Sequence, residues 1–151
     1  VDIYYLYNDD ESLFDVNEWT QIMLEAKALV FQFPLYWMSA PHMLKRWQDE
    51  VFTHLSKSPV IAGKPFLIVV TTGSECETYR SGGRNQFSVD EILRPYQASA
   101  IHAGMKWESP IVVFGMNSED PGRSITEGAI QYKEKLEMLD NSTNGNGGYG
   151  W

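Results

Sequence analysis

With 151 residues, 43 % apolar and 21 % charged, the chain has the size and balance of one ordinary globular domain, which excludes wholesale disorder, collagen-like repeats and a coiled coil. No apolar run approaches the roughly 20 residues of a membrane-spanning helix, and Val1 to Tyr7 lacks the basic start of a signal peptide. The formal charge of −8 argues against sequence-independent binding to nucleic acid, and a single cysteine, Cys76, builds no intramolecular disulfide framework, which fits a reducing cytoplasm.

Val1 to Tyr7, β-branched and aromatic, reads as a short strand stopped by the polar cluster Asn8 to Ser12. The spacing of Val16, Trp19, Ile22 and Met23 is helical, with Asp15 or Asn17 as its cap. Ala28 to Phe33 is a nearly continuous apolar run ended by Pro34, the pattern of a strand covered on both faces in a parallel sheet. After Pro34 to Met38, Ser39 is placed to cap a helix with Pro41 in its first turn, continuing through Met43, Leu44, Trp47 and Val51. Phe66 to Val70 reads as a second buried strand ending at Thr71-Thr72-Gly73, followed by a polar loop to about Phe87. Ser88 with Glu91 is a capping-box pattern for a helix to about Ala103 that Pro95 should kink or interrupt and Gly104 should close. Ile111 to Gly115 is a third buried strand, and a last helix runs from about Ser124 to Leu139. Asp140 to Trp151 is rich in Asn and Gly and reads as a mobile tail. Continuous apolar strands alternating with helices give an α/β fold with a mostly parallel sheet.

In such sheets ligands bind beyond the carboxyl ends of the strands. Two segments stand there. Pro34-Leu35-Tyr36-Trp37-Met38 puts flat aromatic surfaces on the rim, although aromatics more often fill the gap between strand and helix. Thr71-Thr72-Gly73-Ser74, leading to Tyr79 and Gly82-Gly83-Arg84-Asn85, offers amides to ligand oxygens, or is an ordinary strand-end turn and loop. Nucleophile and metal motifs do not emerge: His42, His54 and His102 lack partners at ligand spacing, Cys76 is flanked by Glu75 and Glu77, and there is no G-x-S-x-G elbow. Arg80 and Arg84 read as contacts to a small anionic ligand or as solvated charges.

In order and spacing, several segments resemble the flavodoxin-like NAD(P)H:quinone oxidoreductases, the family of DT-diaphorase, modulator of drug activity B and the ancillary oxidoreductases of potassium-efflux systems. They are Phe31 to Pro41, Leu44-Lys45-Arg46-Trp47, Asp49-Glu50-Val51-Phe52, Gly63-Lys64, Thr71-Thr72-Gly73, Tyr79, Gly82 to Asn85, Leu93-Arg94-Pro95 and Gly104 to Trp107 before Pro110. The resemblance implies a flavodoxin-like three-layer sandwich and a flavin, FMN or FAD, at the strand ends. FMN is preferred because no segment offers itself to grip an adenosine. Pro34, Leu35, Tyr36, Trp37 and Met38 would wrap the flavin ring, Thr71, Thr72, Gly73 and Ser74 would meet its polar edge, and Tyr79 would cover it and carry charge during hydride transfer. Asn85 matches a position that is histidine in DT-diaphorase and asparagine in many bacterial relatives, and Ser74 replaces the turn's usual second glycine.

The implied reaction is two-electron reduction of a quinone or related acceptor, with NADH or NADPH as co-substrate, in a cytoplasmic homodimer that does not bind nucleic acid. Tyr36, Trp37, Trp47 and Phe52 are the expected aromatic interface. The alternatives are an ancillary subunit docking on a membrane potassium-efflux transporter and a catalytically inactive flavodoxin-like binding domain. The family begins with a strand, a phosphate-gripping loop and a helix before the segment matching Val1 to Ile3, so the expectation is residues 1–139 as an N-terminally incomplete flavin-binding domain and 140–151 as a flexible tail.

Overall fold

The computed structural model describes residues 1–7 and 14–144. In chain order it contains α1 (Val16–Glu25), β1 (Leu29–Pro34), α2 (His42–Trp47), a π turn (Gln48–Phe52), α3 (Thr53–Leu55), β2 (Pro65–Thr71), a 3-10 turn (Cys76–Thr78), α4 (Val89–Ile92), α5 (Arg94–His102), β3 (Lys106–Trp107), β4 (Ile111–Val113) and α6 (Gly122–Asn144).

All the strand pairs are parallel. β1 lies along one side of β2 in register from Leu29↔Phe66 to Pro34↔Thr71. On the other side β3 pairs with Pro65 and Phe66, and β4 with Val69 to Thr71. β3 and β4 are therefore two pieces of one lane, and β3 was not foreseen as a strand. Pro110 has no N–H to continue the ladder after Glu108 donates to the Phe66 carbonyl at 2.9 Å.

β2 is covered on both faces: Pro65 to Val70 are all buried. Phe66, Ile68 and Val70 face the larger core, which takes side chains from α1 to α5. Leu67 and Val69 face a smaller cluster with Ile111 and Leu139, and Tyr132 packs against it from α6. Helices on both faces of a parallel sheet make the three-layer α/β sandwich. β1 departs from the expected double burial. Phe31 and Phe33 point into the core, but Gln32 between them points to the opposite face of the sheet and is exposed, so β1 is covered on one face there.

Local signals hold where capping sets the boundary. The Asp15 carboxylate accepts from the amides of Asn17 and Glu18 at 2.8 and 3.3 Å, and α1 starts at the next residue. Ser88 and Glu91 form the full capping box, and the Ser88 backbone and hydroxyl hold the Glu91 carboxyl below its ordinary pKa. Pro95 splits the expected helix into α4 and α5. Gly104, with φ of 72°, follows the last turn.

Four expectations fail. Val1–Tyr7 pairs with none of the four strands, since a strand exists only where a neighbour supplies its ladder. Its Leu6 packs on the core, and the Tyr4 ring meets Trp19 at a tilt of 59° with 5.3 Å between ring centroids. Ser39 does not cap α2, which begins after Pro41 without a side-chain cap. Trp47 and Phe52, expected at an interface, are 2 % and 7 % exposed. They pack with Phe31 in an aromatic cluster that Trp19 joins through Trp47. Finally, α6 passes Leu139 and runs to Asn144, with Lys27 paired to Asp140 at 2.6 Å. The polar cluster Asn8 to Ser12 and residues 145–151 lie outside the described residues.

Candidate functional site

Because β1 and β2 end in register at Pro34↔Thr71, the loops that follow leave the sheet side by side. The Leu35 amide donates to the Thr71 carbonyl at 2.9 Å, extending the ladder by one bond, and the Leu35 side chain packs on the core. The chain then reverses. Tyr36 and Ser39 exchange main-chain hydrogen bonds of 2.9 and 3.0 Å around Trp37 and Met38, whose φ values are 49° and 61°. Two consecutive left-handed residues form the pattern of a two-residue hairpin turn, which Asn-Gly usually fills. For residues with a Cβ this costs about 1–2 kcal/mol each. The two closing bonds contribute about 0.5–1.5 kcal/mol each. The turn is close to break-even by itself, so its surroundings hold it. It also projects its side chains outward: Trp37 is 100 % exposed and Tyr36 62 %. Backbone strain spent on presenting an exposed tryptophan is the kind found at binding sites.

Beside this turn lies an open cleft of about 710 Å³ walled by Pro34, Tyr36, Trp37 and Ser39 to Pro41, with Tyr7 and His42 closing one end. Tyr7 Oη stands 3.3 Å from His42 Nδ1, and the two rings meet edge to face at 5.6 Å. Neither residue was singled out from the sequence. His42 lacks partners at metal-ligand spacing, which leaves a surface or helix-lining role, and its only signal is its place just after Pro41 at the start of α2.

The second loop is built more tightly. Thr72 is 1 % exposed. Its amide donates to the Val113 carbonyl, and its hydroxyl donates to the Ser74 carbonyl, both at 2.9 Å. A Cβ on Gly73 would stand 2.6 Å from the Asn117 side-chain amide, so a larger residue would have to push that side chain aside where the loop after β4 closes on this turn. The Asn117 and Met116 amides donate to the carbonyls of Gly73 and Thr72. Arg84 donates to the Ser74 hydroxyl at 2.8 Å, so the serine that replaces the usual glycine anchors the neighbouring loop.

Tyr79 follows the 3-10 turn, its amide donating to the Cys76 carbonyl at 3.0 Å. Its surroundings differ from the purely polar loop expected. The ring is half-buried, packs on the core and lies 5.8 Å from Phe114. Asn85 ties the loop back on itself: its amide donates to the Thr78 carbonyl and its side-chain nitrogen to the Thr78 hydroxyl, both at 3.0 Å. Gly83 makes that closure possible, since a Cβ there would stand 2.6 Å from the Thr78 carbonyl oxygen.

The structure thus brings Pro34 beside Thr71, and Ser74 beside Arg84. It places Pro34, Tyr36 and Trp37 on the cleft, but Leu35, Met38, Thr71 to Ser74, Tyr79 and Asn85 do not line it. Met38 faces a smaller cleft on the other side of the turn. Among the described residues there is no cluster of side chains suited to a metal ion, and no helix is long and apolar enough to cross a membrane.

A parallel sheet with helices on both faces, and with aromatic and glycine-bearing loops at the carboxyl ends of its strands, defines an α/β protein of the doubly wound class whose ligands bind on that rim. The chain belongs to the family described as having a flavodoxin-like fold, whose model matches residues 2–136.

Three relatives are similar along most of the chain. General stress protein 14 of Bacillus subtilis is 42 % identical over 77 % of this chain and 67 % of its own length. YdeQ of the same organism, named as an uncharacterized NAD(P)H oxidoreductase, is 35 % identical over 92 % of this chain and 71 % of its own. KefG of Serratia proteamaculans, a glutathione-regulated potassium-efflux system ancillary protein, is 35 % identical over 80 % of this chain and 67 % of its own. The chain thus spans about two thirds of the length of these relatives, from 67 to 71 %.

Two solved structures are similar. A general stress protein 14 from Treponema denticola in complex with FMN has a TM-score of 0.74 and 29 % identity, covering 83 % of this chain and 74 % of that one. An NADPH-quinone reductase from P. pentosaceus has a TM-score of 0.73 and 28 % identity, covering 81 % and 74 %.

Proposed function

We propose that this chain is the flavin-binding part of a cytoplasmic, homodimeric NAD(P)H oxidoreductase that uses FMN to reduce quinones or related acceptors by two electrons. The observation that carries the proposal is the cleft beside the strained turn. A wide, apolar, aromatic-walled surface at the carboxyl end of a parallel sheet suits a flat ring system, and the fully exposed Trp37 packs on nothing among the described residues. The donor set fits as well. Among the described residues the amides of Trp37, Met38, Gly73 and Ser74 donate to no main-chain acceptor, so they are free for the oxygens and nitrogens of a flavin edge. The names of the relatives support the chemistry: an NAD(P)H oxidoreductase, an NADPH-quinone reductase and an FMN complex.

In this reading Pro34, Leu35, Tyr36, Trp37 and Met38 hold one face and edge of the ring, Thr71, Gly73 and Ser74 meet its polar edge, and the buried Thr72, whose amide and hydroxyl are both committed within the fold, shapes that turn from beneath. Tyr79 and Asn85 stand over the reacting side. Bound FMN supplies the two-electron hydride chemistry, and the chain supplies position, a dry aromatic wall and hydrogen-bond donors. The exposed Tyr36 and Trp37 are also the residues offered to the second subunit, without the buried Trp47 and Phe52.

Titrating FMN into the protein should quench flavin fluorescence with one site per chain, and NADH or NADPH should then bleach the bound flavin, with colour returning on addition of benzoquinone. A protein that leaves FMN fluorescence unchanged would sink this proposal. The likeness to KefG favours a second reading, an ancillary subunit seated on a potassium-efflux transporter. Co-purification with a membrane transporter would favour it.

Residues 140–151 are proposed to be dispensable for folding and turnover. Lys27 and Asp140 are both more than half exposed, and pairs of that kind contribute little. A chain ending at Leu139 should keep its flavin reduction rate and lose no more than about 1 kcal/mol in urea unfolding.

A further inference from the structure

We infer that Tyr96, through its phenol oxygen, is the positioning residue that clamps the Trp37-Met38 turn in its binding geometry; the inference rests on the reading of that turn as the flavin-holding wall. The turn is nearly break-even in energy and projects from the sheet, so something outside it must hold it. A cleft of about 300 Å³ separates it from the helices on one side, lined by Met38 and Ser39 across from Phe52, Ile92 and Pro95. Packing therefore does not brace the turn there. Among the described residues one side chain reaches across: the Ala40 amide donates to Tyr96 Oη at 3.0 Å, and the Ser39 hydroxyl lies 3.3 Å from the same oxygen.

These two contacts fall on Ser39, which closes the turn by pairing with Tyr36, and on the residue after it. With its oxygen accepting from Ala40, the phenol can give its own proton to Ser39, so both functions of one hydroxyl are used. Ser39, which read from sequence as a helix cap, has its hydroxyl committed to this clamp.

The clamp itself is rigid. Tyr96 is 8 % exposed, and its ring stacks at a tilt on Phe33, 5.4 Å between centroids, from the strand that feeds the turn. Pro95 breaks the helix and starts α5 afresh, which sets Tyr96 in the first turn of α5 facing the loop. A phenylalanine at this position would fill the same space and leave the Ala40 amide without its acceptor. The hydroxyl, rather than the ring, therefore carries the positioning.

The test compares the wild-type chain with Tyr96→Phe by amide hydrogen exchange and by FMN fluorescence titration. In the wild type the Ala40 amide should exchange slowly although its loop is exposed, and in the variant it should exchange at least about tenfold faster. FMN should bind the variant about tenfold more weakly, the loss expected for one such hydrogen bond, while the urea midpoint moves little.

An Ala40 amide that exchanges freely in the wild type overturns the clamp, whether or not the variant folds. So does an unchanged FMN affinity in Tyr96→Phe when the wild type binds FMN. If the wild type binds no FMN, the flavin reading falls separately, and the exchange comparison still decides whether Tyr96 holds the turn.

Discussion

Removing the hydroxyl of Tyr79 should slow flavin reduction by NAD(P)H roughly ten- to a hundredfold while changing the affinity for NAD(P)H much less. The expectation follows from where charge develops. A hydroxyl that stabilises charge appearing only as hydride leaves the nicotinamide lowers the barrier without improving binding of the ground state. One hydrogen bond of this kind is worth about 1–3 kcal/mol. The structure makes phenylalanine the right probe. The Tyr79 ring packs on the core beside Phe114, so an alanine would also empty a packed site, whereas Tyr79→Phe keeps the ring and takes only the oxygen. Stopped-flow reduction of the FMN-loaded protein separates the two parameters. An unchanged reduction rate at saturating NAD(P)H, with at most a small loss of stability, would take Tyr79 out of the chemistry and leave it a packing residue.

What was legible in the sequence was what neighbours in sequence decide. Asp15 and the Ser88–Glu91 box start their helices, Pro95 breaks one and Gly104 follows its end, because each of these signals acts within a turn of itself. The continuous apolar run of β2 predicted double burial for the same reason: its composition alone requires cover on both faces. The misses share the opposite cause. Val1–Tyr7 has strand composition, but a ladder needs a partner that composition does not reveal. Ser39 has capping chemistry, yet its hydroxyl meets Tyr96, 57 positions away. Trp47 and Phe52 sit in a segment that matches the family closely, and only the packed helix shows that they face inward. The left-handed turn is the sharpest case. Trp and Met carry no local preference for positive φ, so nothing in Trp37-Met38 announced a hairpin, and the two residues that make the rim distinctive were legible only as aromatic and apolar.

That turn sets stability against binding, and Trp37→Gly should separate them in opposite directions. Glycine adopts a φ of 49° without the Cβ clash, so the variant should unfold at a higher temperature, by about 1 kcal/mol or roughly 2–4 °C for a chain of this size. The side chain is fully exposed, so no packing in its own fold is lost to offset the gain. FMN affinity should fall roughly tenfold, the scale of one aromatic stacking contact together with the apolar surface it covers. Trp37→Asn provides the control, since asparagine tolerates the left-handed region but offers no ring. It should weaken FMN as glycine does. Thermal unfolding without FMN, followed by fluorescence titration with it, reads both effects on the same protein. A variant that is less stable than the wild type would mean that Trp37 is braced after all, within the fold or by the second subunit. One that is more stable but binds FMN as tightly would mean that the strain serves another ligand. Opposite signs in the two measurements are what a residue held in an unfavourable backbone conformation for the sake of its ligand must produce.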